Sequence, residues 1–211
     1  MKITKYEQSG FIIERDNGYK IAIDIGSYTP TDKLNGIIID LMLVSHIHGD
    51  HFSIEHLKRL SPKKVYLNEE CIDAIGEQDF NFKPILVSVG DHIEVDGIKV
   101  VFFDVDHGPN VKIRPKENFG FLIEIDGKKI YFAGDMFNQS GIDVSNLAVD
   151  VVLIPIGTFY TFGPKEAVDF AKKFRKIEKI IPMHYQKTPE TRSVFVDLAI
   201  AEGFNVDSQI I

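Results

Sequence analysis

The sequence predicts an α/β (α+β) fold, layered and built from two similar halves. Three observations carry this. A hairpin near the N-terminus recurs about half a chain later: Gly10-Phe11-Ile12-Ile13-Glu14, a turn and residues 20–25 match Gly120-Phe121-Leu122-Ile123-Glu124, a turn and residues 129–132. Apolar runs at 41–44, 65–67, 151–156 and 179–182 suit central strands covered on both faces. Stripes of helical period are interspersed among the strands. Two halves packed face to face, each contributing a sheet, would account for the repeat.

The elements follow in order. Residues 10–14 and 20–25 form a hairpin around Asn17-Gly18, a two-residue turn that tolerates positive φ. The apolar run 37–44 reads as one strand, broken in polarity only by Asp40. A short helix begins after Phe52, with Ser53 as its N-cap and Pro62 beyond its end. The second hairpin turns at Asp126-Gly127. Gly163-Pro164 opens a helix with Pro at the first helical position, and Ala167, Phe170, Ala171 and Phe174 form its inward stripe. A last helix is expected over 193–202, stopped by Gly203, with Val194, Leu198 and Ala201 inward. No linker interrupts the chain, so one domain spanning 1–211 is expected.

Composition narrows the function classes. With 44% hydrophobic and 26% charged residues, the chain is neither disordered nor fibrous. No apolar stretch approaches the ~20 residues of a bilayer span. Met1-Lys2-Ile3-Thr4 runs into strand-like sequence without a secretion signal, and the single cysteine, Cys71, fits a reducing compartment. A cytoplasmic location is expected. The net charge of -7 argues against a nucleic-acid partner. A small-molecule substrate is expected, with no membrane partner; the oligomeric state stays open.

The chemistry concentrates in Ser45-His46-Ile47-His48-Gly49-Asp50-His51, directly after an apolar strand. His46 and His48, two apart, point to one side in extended backbone. Gly49 lets the chain turn so that Asp50 and His51 address the same volume. Further candidates follow other strands: His107 after 100–105, Asp135 after 130–133 with Gly134 clearing space, and His184 after 179–182. These seven side chains are too many for one tetrahedral ion and suit two, with a carboxylate bridging. Mixed imidazole and carboxylate ligation suits zinc, manganese or iron. Two such ions would lower the pKa of a shared water, and the resulting hydroxide would be the nucleophile.

This set resembles the metallo-β-lactamase superfamily, whose H-x-H-x-D-H motif stands here as His46-Ile47-His48-Gly49-Asp50-His51, joined by Gly134-Asp135 and by His184 in Ile181-Pro182-Met183-His184-Tyr185. The stretch from Pro155 through Gly157-Thr158-Phe159-Tyr160-Thr161-Phe162 to Pro164 is similar to the branch of small metal-dependent hydrolases related to L-ascorbate-6-phosphate lactonase. The resemblance implies a four-layer αβ/βα sandwich of two similar halves. It also implies that His46, His48 and His107 hold a first metal, that Asp50, His51 and His184 hold a second, and that Asp135 bridges them. The cofactors would be two divalent ions, zinc ahead of manganese. The reaction would be hydrolysis of a small ester, lactone or phosphorylated substrate, with Asp50 and Asp135 catalytic. The alternatives are a phosphodiesterase or nuclease-type enzyme and a catalytically silent metal-binding domain. Two positions depart from the branch. Gln8 stands before Ser9-Gly10 where a histidine is common, and Met136 follows Asp135 where threonine is usual. Both leave the ligand positions filled and alter residues expected on the substrate side.

Around this set, Asp24 reads as an acceptor for a ligand imidazole or as a surface turn residue. Tyr185, Tyr160 and Thr161 read as packing or as proton donors to a leaving group. Lys112, Arg114 and Lys116 form a basic loop, solvated or anion-binding. His56 and His92, the latter in a turn with Asp91, read as structural or surface residues, and Cys71 as inert. No substrate-binding residue is assigned.

Overall fold

The computed structural model describes residues 1–207, so the last four positions of the expected 1–211 domain lie outside the described residues. Residues 1–88 with 115–117 form one compact unit, and residues 89–114 with 118–207 form another.

The first unit is a six-stranded mixed sheet in the order β1 (Lys2–Lys5), β2 (Phe11–Glu14), β3 (Lys20–Ile23), β4 (Leu41–Leu43), β5 (Lys64–Leu67) and β6 (Pro84–Leu86). β1, β2 and β3 pair antiparallel, and β3 to β6 pair parallel. Parallel neighbours need crossovers, supplied by α1 (Ile54–Leu60) after β4 and α2 (Glu69–Ile75) after β5. Ser53 caps α1 by accepting from His56 N, as its side-chain chemistry predicts. Ala22, Met42 and Val65 of the sheet pack with Leu57, Leu60, Cys71 and Ile75 of the helices. Alternate residues Ile21, Ile23, Leu41 and Leu43 are also fully buried, which explains why these strands read as continuous apolar runs.

The second unit repeats the plan: β7 (His92–Val95), β8 (Ile98–Asp104), β9 (Phe119–Ile125), β10 (Lys128–Phe132), β11 (Ala148–Pro155) and β12 (Lys176–Met183), again six strands in sequence order. β7 to β10 pair antiparallel and β10 to β12 parallel. α3 (Pro164–Ala171) lies between β11 and β12 in sequence, and α4 (Glu190–Ala201) follows β12. One face of this sheet carries Phe102, Phe119, Phe121 and Phe132, with Phe121 and Phe132 stacked at 5.4 Å. The other presents Tyr131, whose ring meets Phe170 and Phe174 from α3 and the turn after it.

The repeat read from the hairpins extends further than the hairpins. Lys20 begins β3, and its backbone N–H donates to Asp40 Oδ2 at 2.9 Å from the residue before β4. In the second unit Lys129 N–H donates to Asp150 Oδ2 at 2.9 Å, and Asp150 precedes Val151, the partner of Ile130. Each carboxylate also holds a lysine, Lys63 at 2.7 Å and Lys128 at 2.6 Å. The turns differ. Asp126 and Gly127 both adopt positive φ, 51° and 73°, the two-residue type I′ geometry. In the first hairpin only Gly18 is left-handed, at 85°, and its N–H returns to Arg15 O, so the loop is the three-residue Asp16-Asn17-Gly18 rather than the expected pair.

Three expectations are corrected. Residues 37–40 are not strand, because Asp40 is committed to Lys20 and Lys63. α4 starts at Glu190, and its buried residues are Thr191, Phe195 and Ala199. Phe195, the bulkiest apolar side chain, takes the interior and turns the stripe one position, so Val194, Leu198 and Ala201 are exposed. Val194 and Leu198 line a groove of about 540 Å³ with Phe137, Thr158 and Phe162. His92 begins strand β7 and is exposed, rather than sitting in a turn.

Candidate metal centre

In the first unit the loop after β4 folds back on itself. His51 N–H and Phe52 N–H both donate to His48 O, at 2.9 and 2.8 Å. Gly26 makes this possible: a Cβ there would lie 2.0 Å from Asp50 C and 2.4 Å from His51 N. The ligand atoms of His46 and His48, of His46 and His51, and of Asp50 and His51 lie within 4.8 Å of one another. His46 Nε2 and His48 Nδ1 face each other at 3.0 Å. His46 and His51 are fully buried, while His48 and Asp50 are partly open.

Asp24 governs the orientation of this group. It follows β3, is fully buried and adopts φ 48°. Its Oδ2 lies 2.7 Å from His51 Nδ1 and 2.5 Å from Ser45 Oγ, and its Oδ1 accepts from Ser45 N–H at 2.7 Å. A carboxylate acceptor assigns the His51 proton to Nδ1 and leaves the Nε2 lone pair for a cation. Ser45, having given its hydrogen to Asp24, accepts from His46 Nδ1 at 2.9 Å, which leaves His46 Nε2 in the same condition. Burial pushes the Asp24 carboxyl above its usual range, opposed by His51 and by the bonds from Ser45. Asp24 is thus the imidazole acceptor rather than a surface turn residue.

In the second unit His107, Asp135 and His184 stand beyond β8, β10 and β12, and all three are buried. Asp135 Oδ2 lies 3.5 Å from His107 Nε2 and 3.1 Å from His184 Nε2. Asn118 ties the loops together, donating from Nδ2 to Val105 O and Asp135 O at 3.2 Å each. Asp106 Oδ1 accepts from Asn138 and Gln139 N–H, joining the His107 loop to the Asp135 loop. Phe162 N–H donates to Met136 O, which adds the loop after β11. Left-handed backbone at Gln8, Asp24, Thr158 and His184 clusters in these two loop groups. Each costs about 1 kcal/mol or more and is held by its surroundings.

The residues around the site divide clearly. His56 is buried, with Nδ1 3.3 Å from Ile25 O, a structural role. Cys71 is fully buried in α2, and burial pushes its thiol far up, so it stays inert. Lys112, Arg114, Lys116 and Tyr160 are exposed. Thr161 is buried, and burial raises the Tyr185 phenol against the opposing Arg192. Sequence reasoning missed Asn118 and the contacts of Ser45 and Gln8. For Ser45 the signal was its place before His46; Gln8 stood out only as a departure expected on the substrate side, and the partners of Gln8 and Asn118 are 42 and 17 residues away.

The donors fit divalent cations: His46 and His51 have their Nδ1 atoms committed to Ser45 and Asp24, and carboxylates stand in the same loops as the imidazoles. Among the described residues no helix is long and apolar enough to cross a membrane.

Comparison with known proteins agrees. A family model described as the beta-lactamase superfamily domain matches residues 2–184, ending on His184. A UPF0173 metal-dependent hydrolase of Thermococcus onnurineus is 36% identical over 156 residues, 71% of this chain and 68% of the relative. Another, from Pelotomaculum thermopropionicum, is 32% identical over 204 residues, 90% of this chain and 86% of the relative. Among solved structures, Igni18, described as a metallo hydrolase from Ignicoccus hospitalis, matches with a TM-score of 0.80 at 26% identity, covering 98% of this chain and 94% of that one. The two mixed sheets and four α-helices of the described residues are those of the α/β metallo-β-lactamase fold. The chain belongs to the beta-lactamase superfamily and, within it, to the UPF0173 metal-dependent hydrolases.

Proposed function

We propose that the two donor groups serve one binuclear centre in an enzyme that hydrolyses a small ester, lactone or phosphorylated substrate. His46, His48 and His107 hold one divalent ion, Asp50, His51 and His184 hold the other, and Asp135 is shared. The observation that carries this reading is Asp135 Oδ2, a single buried carboxylate oxygen facing both His107 and His184, which belong to different ligand sets. The imidazole-rich donor set favours zinc ahead of manganese. When bound, such ions supply Lewis acidity, which makes water nucleophilic near neutral pH and polarises the substrate oxygen. The chain's own residues do the rest. Asp24 and Ser45 fix the tautomers of His51 and His46. Asn118 holds the Asp135 loop, so that its carboxylate is oriented before water and substrate arrive. Membership of the superfamily supports the general activity. The likeness of residues 155–164 to the lactonase-related branch supports the leaning toward lactones.

Elemental analysis of the purified protein should find two divalent ions per chain. Lactones and aryl esters should be turned over, with activity lost in EDTA and restored by zinc or manganese. Asp50→Ala should leave one ion per chain. Asp135→Ala should lower kcat/KM by a factor of about 10³ or more with the fold retained, as expected when electrostatic stabilisation and water orientation are removed together. Selective, EDTA-sensitive cleavage of bis(p-nitrophenyl) phosphate would replace the lactone reading with the phosphodiesterase one. A protein unable to retain divalent ions would overturn both.

A further inference from the structure

The turn between β1 and β2 carries Gln8 to the histidine-rich loop. Tyr6 N–H donates to Gly10 O at 2.7 Å and Gly10 N–H to Glu7 O at 3.0 Å, and closing this turn places Gln8 at φ 53°. A glutamine rarely occupies that region, at a cost of about 1 kcal/mol or more. The conformation delivers the side chain inward. Gln8 is 2% exposed, and its Nε2 lies 3.2 Å from Asp50 Oδ2. An ionised carboxylate only accepts, so the amide nitrogen, not its oxygen, is the end that faces it.

We propose that Gln8 is a positioning residue for the metal centre: its amide N–H holds Asp50 Oδ2 and sets the carboxylate's orientation toward a divalent ion. This rests on the reading of Asp50 as a ligand. A carboxylate on a single Cβ–Cγ bond rotates freely unless one oxygen is held. The hydrogen bond from Gln8 stops that rotation before an ion arrives. An amide suits the task because it is neutral and neither gains nor loses a proton in the working range, so it brings a donor without a competing positive charge. Asp24 and Ser45 serve His46 and His51, and His51 Nε2 lies 3.9 Å from the same Oδ2, beyond hydrogen-bond reach.

Chelator competition on the full-length protein would measure the dissociation constants of both ions. Two variants separate the contributions. Gln8→Leu keeps comparable bulk and removes the donor. Gln8→Asn keeps an amide that tolerates left-handed backbone but shortens its reach, and it serves if the leucine variant fails to fold. Both should weaken the second ion about 10- to 100-fold, the usual effect of losing a group that orients a ligand, and leave the first ion unchanged. In an Asp50→Ala background the same substitutions should change nothing. A merely structural role would not alter the ratio of the two constants. If both Gln8 variants hold the second ion within twofold of the parent, the proposal is wrong while the binuclear reading stands. If the parent itself holds fewer than two ions, the binuclear reading fails and takes this proposal with it.

Discussion

Asp24 shows how much of the candidate metal centre lies outside its candidate ligands. One buried carboxylate orients His51 directly and His46 through Ser45, so replacing it disturbs two imidazoles at once. Asp24→Asn should reduce divalent-ion affinity about 10- to 100-fold, read by chelator competition. Retained affinity would show that packing alone sets the rings. Gly26→Ala tests the neighbouring constraint, because its Cβ would meet the Asp50 and His51 backbone at 2.0–2.4 Å. It should destabilise the protein by about 2 kcal/mol in a denaturant titration, the scale of forced overpacking. The candidate ligands were legible as residues because each follows a strand with little chain between. Ser45 and Gln8 were not legible as participants. Their roles depend on which atom meets which across 21 and 42 residues, and on a backbone angle that glutamine seldom adopts.

At the scale of elements, the paired aspartates are the unrecognised part of the repeat. Asp40 and Asp150 each clamp the start of a neighbouring strand through a backbone N–H and hold a lysine. Partial burial raises each carboxyl, and the hydrogen bonds to lysine and backbone outweigh it, so both stay below the usual carboxylate range. A folded-state pKa held low contributes stability above the unfolded value of about 3.9, and that stability is lost as pH falls through the folded value. Asp40→Asn and Asp150→Asn should therefore each cost about 1 kcal/mol at pH 7. Urea titrations should show the difference from the parent shrinking below about pH 4. A difference that persisted there would assign the effect to packing instead of charge. The helices were less legible at this scale. The period of α4 was readable, but the inward position followed the bulk of Phe195, and a stripe moved by one residue exposes Val194 and Leu198.

For the whole molecule, ion binding and folding should be linked. An ion that binds only the folded chain stabilises it by about 4 kcal/mol at a thousandfold excess over its Kd. For a chain of this size each kcal/mol moves the melting temperature by roughly 2–4 °C. Exhaustive chelation should lower the midpoint by about 10 °C, and adding back zinc or manganese should restore it. A melting curve indifferent to metal, with removal verified by elemental analysis, would mean that the donors are already held in place without ions. The relation of the two units to the repeat was legible as topology: both sheets begin antiparallel, turn through the repeated hairpin and finish parallel.

Local chemistry in the chain was enough to determine the α/β class, the doubled hairpin and most of the central strands, and to single out the candidate ligand residues that follow them. These depend on periodicity and on side-chain type, which are properties of neighbours in sequence. Tertiary structure alone decided that the first hairpin closes with three residues, that Asp24 and Ser45 share the orientation of two imidazoles, and that Gln8 reaches Asp50. Those outcomes depend on the meeting of segments far apart in the chain. The packing of other residues pins such contacts, and no local pattern encodes them.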